Sequence, residues 1–197
     1  MHATRTDGDT RSRVLSVFAA HFAVHGYQGT SLQAVAQEAG VKKPTLYHHF
    51  PGGKETLYNA VALDSITERG ELLARALAVP GGLADQLTAV IEACADPTGS
   101  ATSFDQRIFD ALPHVDTDIR DELSSVYVER ILSPVQERFR RAVDDGELSP
   151  ADPALLCNAF LHLARAIDMA GDDRHEAAAA LTALFLDGAR GPRPAAA

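Results

Sequence analysis

From residue 11 to 25 the apolar residues Val14, Leu15, Phe18 and Phe22 recur at helical spacing, with Val17 at the edge of the stripe and Gly26 as a natural stop. A second short helix follows, with Leu32, Val35, Ala36 and Ala39 on its apolar face, Thr30 or Ser31 placed to cap it and Gly40 to end it. A third starts near Lys43-Pro44, where proline suits a first turn, and runs to about His49. Phe50-Pro51-Gly52-Gly53 breaks the pattern, and a long helix from Lys54 to about Ala78 follows, with Gly70 as a soft point. Beyond Pro80-Gly81-Gly82 the spacing predicts helices at about 83–96, 103–112, 116–145, 152–171 and 173–189. Pro97-Thr98-Gly99-Ser100, Pro113, Gly146 with Pro150, and Gly171-Asp172 separate them, and Pro134 kinks or splits the third. A tail from Gly191 is expected to fray. No segment alternates with period two over a strand's length, so the fold class is all-α.

The stretch from Leu32 to Phe50 is more specific. Two short helices joined by Gly40-Val41-Lys42 have the connection length of a helix-turn-helix. Ala36 is small enough for close crossing, Gly40 accepts the positive φ of the turn, and Val41 and Leu46 fill the angle between the helices. The second helix of such a motif enters the major groove by its N-terminal half. Here that half exposes Lys43, Thr45, Tyr47 and His48, with His49 next to them.

Gly26-Tyr27-x-x-Thr30-Ser31-Leu32, Ala36-x-x-Ala39-Gly40-Val41, Thr45-Leu46-Tyr47-x-His49-Phe50 and Lys54-Glu55-x-Leu57 resemble the TetR-type DNA-binding domain over about residues 11–58. The resemblance implies a domain at 1–53 that reads operator DNA and a helical domain at 54–197 for effector binding and dimerisation. It places Thr30 or Ser31 and Lys54 on phosphates, Tyr47 and His48 between backbone and groove, and Lys43 and Thr45 nearest the base edges. Three positions depart from the family pattern. Lys42 replaces a frequent serine cap and adds a phosphate-seeking charge, Ala34 removes the usual capping box, and His21 stands where leucine is common. The implied protein is a homodimeric transcriptional regulator, most simply a repressor, that an unidentified small molecule releases from a near-palindromic operator. Its two reading helices would meet successive major grooves about 34–36 Å apart, and the long fourth helix would carry the effector's signal.

Charge sharpens this picture. The chain carries −9 overall, yet residues 1–60 hold six Lys/Arg against four Asp/Glu, while the remaining residues hold 12 against 23. All three lysines lie between positions 42 and 54. A small basic face on an acidic body concentrates attraction to phosphate. No apolar run approaches the roughly 20 residues of a membrane helix, and the first thirteen residues lack a signal-type apolar stretch, so a cytoplasmic protein without membrane contact is expected. Cys94 and Cys157 fit no zinc or redox spacing and read as reduced core residues. His21 and His25 lack a third ligand nearby, so neither a metal nor any other cofactor is expected.

Effector-pocket candidates between residues 83 and 171 are Cys94, Phe104, Phe109, His114, Tyr127, His162, Asp168 and Met169, which mix apolar surface with a few polar handles. Each has an ordinary alternative as core or surface. Leu156, Ala159, Phe160, Leu163, Ala166, Ile167 and Ala170 form one face, and Ala177, Ala180, Leu181, Leu184, Phe185 and Gly188 another. These faces suit either a four-helix dimer contact or packing within one subunit. An all-α enzyme using His114, Asp116 or Asp168 finds no nucleophile motif, phosphate loop or paired carboxylates. A protein-binding helical module would have no need of the Gly40–Phe50 turn and reader, so the chain is read as non-enzymatic and DNA-binding.

Overall fold

The computed structural model describes the backbone of residues 3–96, 104–170 and 173–190, and side chains from Gly8 onward. The breaks expected at 97–100 and 171–172 and the frayed tail from Gly191 lie outside the described residues. Ten α-helices follow one another: α1 (Ala3–Gly29), α2 (Leu32–Glu38), α3 (Lys43–His49), α4 (Lys54–Leu77), α5 (Leu83–Cys94), α6 (Phe104–Ala111), α7 (Thr117–Tyr127), α8 (Ser133–Asp144), α9 (Pro153–Ala164) and α10 (Arg174–Ala189). No strand occurs among the described residues.

Two differences from the periodicity have physical causes. α1 reaches back to Ala3, through a polar stretch with no apolar stripe to announce it, and kinks at Gly26 (φ 66°, ψ −176°). The expected 116–145 helix divides into α7, a π-helical turn at Val128–Leu132, and α8. Pro134 has no N–H to give and sits in the first turn of α8; the wider turn ahead of it, closed by Ser133 N–H to the Val128 carbonyl, absorbs the mismatch.

The chain forms two compact units. The first comprises residues 1–65 and 100–125, the second residues 66–99 and 126–197. Compactness therefore groups α6 and most of α7 with the N-terminal helices, a different division from the one expected at residues 53 and 54.

In the first unit, Val14, Phe18 and Phe22 of α1 are fully buried with Val35, Leu46, Phe50 and Leu57. Phe22 meets Tyr58 and Phe104 edge-on at 5.7 and 5.4 Å, the geometry favoured by ring quadrupoles. Tyr58, 1% exposed, donates to the Ile108 carbonyl at 2.8 Å, which satisfies its hydroxyl and fastens α6 to α4. Burial, helped by the neighbouring Tyr27, holds the Tyr58 phenol well above its usual range.

The second unit has its own aromatic centre. Phe139 of α8, Phe160 of α9 and Phe185 of α10 stand 5.1–5.5 Å apart in a mutual cluster. Thr88 of α5 and Thr182 of α10 share a hydrogen bond at 3.0 Å, and Arg69 of α4 donates to the Ala93 carbonyl at 2.7 Å. Gly70 does not soften α4, which runs through it. It is buried where α4 approaches the π-helical turn so closely that a Cβ there would lie 2.9 Å from Arg130 Cβ.

Candidate nucleic-acid interface

The helix-turn-helix is built as its sequence requires. Gly40 takes φ +65° with nothing near its missing Cβ, so backbone conformation rather than crowding selects glycine there. The Val41 N–H closes the turn on the Ala36 carbonyl at 2.9 Å, and Ala36 and Leu46 are buried between the helices while Val41 is half-buried. Arg13 of α1 donates to the Ala39 carbonyl at 2.9 Å and so holds the end of α2. His21 meets Glu38 at 2.8 Å, which gives this departure from the family pattern a polar partner on α2.

α3 buries only Leu46. Around it Lys42, Lys43, Thr45, Tyr47 and His48 are exposed, so these five expected contacts share one accessible helix. Lys42 occupies the cap position without a side-chain hydrogen bond, which leaves its ammonium uncommitted to the helix end. Tyr47 lies over Gly53, with Cε1 3.0 Å from where a Cβ would stand. His49 is half-buried, and Phe50 is buried with the Arg11 guanidinium 5.4 Å from its ring centre.

Thr30 and Ser31, interchangeable in the sequence, differ in the structure. Thr30 is 3% exposed and donates its hydroxyl to the Gly26 carbonyl at 2.7 Å. Ser31 is the exposed residue at the cap position of α2, and its side chain makes no capping bond there, contrary to expectation. Lys54, at the start of α4, is half-buried. Its Nζ donates to the Gln28 carbonyl at 3.3 Å and sits 4.8 Å above the Tyr27 ring. Burial holds the Lys54 ammonium below the usual lysine range. Burial, then the charges of Glu55 and Asp116, hold the Tyr27 phenol above its own. The Lys54–Tyr27 pairing gave no sequence signal beyond two motif residues 27 positions apart.

The eight pocket candidates divide between the two units. Phe104, Phe109 and His114 fall in the first unit; Cys94, Tyr127, His162, Asp168 and Met169 fall in the second. Phe104 packs on Phe22, Phe109, Tyr127 and Cys94 are half-buried, and His114 is an exposed acceptor for Gln28. His162 and Asp168 are exposed, and Met169 is 89% exposed. Asp168 accepts the Asp96 backbone N–H at 2.7 Å, so its carboxylate secures the chain beyond α5. No group of three or more His, Cys, Asp or Glu side chains suited to a metal occurs among the described residues. No helix among them is long and apolar enough to cross a membrane.

Comparison with known proteins fits this geometry. Residues 15–61 match the family described as bacterial regulatory proteins, tetR family. The chain is 35% identical over 97 residues to the HTH-type transcriptional regulator LmrA of Bacillus subtilis, a match spanning 49% of this chain and 44% of that protein. The chain therefore spans less than half the length of that curated relative. Among solved structures, the TetR family transcriptional regulator PfmR of Thermus thermophilus superposes with a TM-score of 0.73 at 26% identity, over 89% of this chain and 97% of that one. AibR, solved in complex with isovaleryl coenzyme A and operator DNA, shares the fold at a TM-score of 0.67 and 21% identity, over 93% of this chain and all of that one.

Proposed function

The chain belongs, by its N-terminal domain, to the tetR family of bacterial regulatory proteins, and on that premise we propose that it is a homodimeric transcriptional repressor released from operator DNA by a small molecule. The observation that carries the reading is the exposed α3 face, where Lys42, Lys43, Thr45, Tyr47 and His48 surround the single buried anchor Leu46. Lys43 and Thr45 stand at the base edges, where lysine donates to guanine and threonine meets a thymine methyl. Ser31, Lys42 and Lys54 take phosphates, Tyr47 and His48 bridge backbone and groove, and Thr30 acts from beneath by holding the turn that leads to Ser31. Two such helices in a two-fold dimer read half-sites about 34–36 Å apart.

α4 starts with Lys54 in the first unit and ends in the second. An effector held by the helices that follow α4 shifts that helix, and with it Lys54. Release then requires that effector and DNA prefer different states, so each weakens the other by the same factor. AibR's operator and acyl-coenzyme A complex supports a small-molecule effector for this fold.

The test is binding of the full-length protein to its own upstream DNA across a salt series, with Tyr47→Ala and Lys54→Ala alongside. The expected result is salt-dependent binding weakened in both variants, with the slope of log affinity against log salt reduced by about one for Lys54→Ala. A folded protein that binds no DNA in a salt-sensitive way overturns the reading.

A further inference from the structure

Within the first unit, the end of α1 and the length of α6 border a cleft of about 240 Å³ whose lining includes His25, Tyr27, Gln28, Arg107, Asp110 and His114. Arg107 is the unusual group. It is half-buried, its Nε is covered and unbonded, and it has neither an ion pair nor a hydrogen bond to any described residue. Its Nη1 lies 3.6 Å from where a Cβ on Gly26 would stand, so the guanidinium rests against the kink of α1. A partly desolvated cation with no ion-pair partner is costly, and an arriving oxyanion gains charge-assisted hydrogen bonds from the remaining guanidinium donors.

The other walls define the anion. His25 and His114 add ring nitrogens, and Gln28 Nε2 donates to the His114 ring at 3.2 Å, which fixes that wall. Asp110, whose Oδ1 takes the Gln106 amide at 2.8 Å, brings one negative charge to the rim and disfavours multiply charged anions. The Tyr27 ring and Ala111 provide apolar surface. At about 30 Å³ per water in the liquid, the volume suits a carboxylate with a short alkyl chain.

We propose that this cleft is a binding site for a small monocarboxylate, held by Arg107. Its occupation bears on DNA binding because Tyr27 and Gln28, which line it, are the residues that hold Lys54. That consequence rests on the DNA-binding reading; the site itself does not.

The test is titration calorimetry of the full chain with butyrate at constant ionic strength, with butyramide as the uncharged match. The expected result is butyrate binding with a dissociation constant of about 1 mM or tighter, no butyramide binding, and weakening of at least about tenfold in Arg107→Gln. Absence of butyrate binding to the wild type overturns the site, as does equal binding of butyramide or undiminished binding by Arg107→Gln. Should that variant fail to fold, the butyrate and butyramide titrations of the wild type decide. In parallel, saturating butyrate shifts the DNA affinity of the wild type and not of Arg107→Gln; an unshifted wild type overturns the coupling. A protein that binds butyrate and no DNA retires the helix-turn-helix reading while the site stands.

Discussion

The Thr30 hydroxyl is spent inside the protein, on the Gly26 carbonyl, while Ser31 next to it faces solvent. Thr30→Val should therefore lower stability by about 1 kcal/mol, read as a shifted urea midpoint at constant slope, and leave the salt dependence of DNA binding unchanged. Ser31→Ala should leave the urea midpoint unchanged and weaken DNA binding about equally at every salt concentration. A sequence motif shows that two hydroxyls are present and not which one bonds to the backbone four residues before it.

Cys157 gives a second test at this scale. Burial pushes its thiol up from 9.0 to about 11. In that interval the unfolded chain releases the proton and the folded one keeps it, so stability falls as pH rises from about 9 to 11. The buried Tyr58 acts in the same direction at higher pH, and Lys54, whose folded value is lowered, acts against them. Cys157→Ala should flatten the alkaline fall in denaturation experiments run at successive pH values; an unchanged fall would locate it elsewhere.

For the elements, spacing found nearly every helix to within a few residues, because most carry an apolar stripe such as Val14, Phe18 and Phe22. What it lacked was anything determined by a neighbour. Gly70 is the clearest case: read along the chain it is a weak point in α4, and in the structure it is a contact surface. Alanine is the better helix former by about 1 kcal/mol. A Cβ there would nevertheless meet Arg130 Cβ at 2.9 Å and its carbonyl oxygen at 3.1 Å, and backbone cannot swing aside as a side-chain tip can. Overpacking of this kind costs about 1–3 kcal/mol, so Gly70→Ala should lower the melting temperature despite the gain in propensity. A raised melting temperature would mean that the π-helical turn gives way easily. That turn was legible only as a disturbance at Pro134, since a missing N–H announces a lost hydrogen bond and not the route by which the chain absorbs it.

On the scale of the whole molecule, the exposed face of α3 was legible because its residues are consecutive, and the grouping of α6 with the N-terminal helices was not. That grouping depends on Tyr58 reaching Ile108, 50 residues away, and on Phe22 meeting Phe104. The two apolar faces expected at the C-terminal end of the chain were half legible. Leu156, Phe160 and Ile167 of the expected α9 stripe are buried within the chain, whereas Leu155 and Leu184 are each 65% exposed, with Ala159 and Ala180 also exposed. Under the proposed dimer through α9 and α10, Leu184→Glu should halve the mass measured by light scattering without loss of helix content; an unchanged mass would place the interface elsewhere. The chain also contains no tryptophan, and its four tyrosines occupy unlike surroundings. Tyr58 is sealed and Tyr47 stands 45% exposed on α3. The chain's near-ultraviolet emission is thus a built-in pair of optical reporters: Tyr58 tracks unfolding, and, under the proposed DNA contact, a signal that Tyr47→Phe removes tracks the arrival of DNA, with no dye attached.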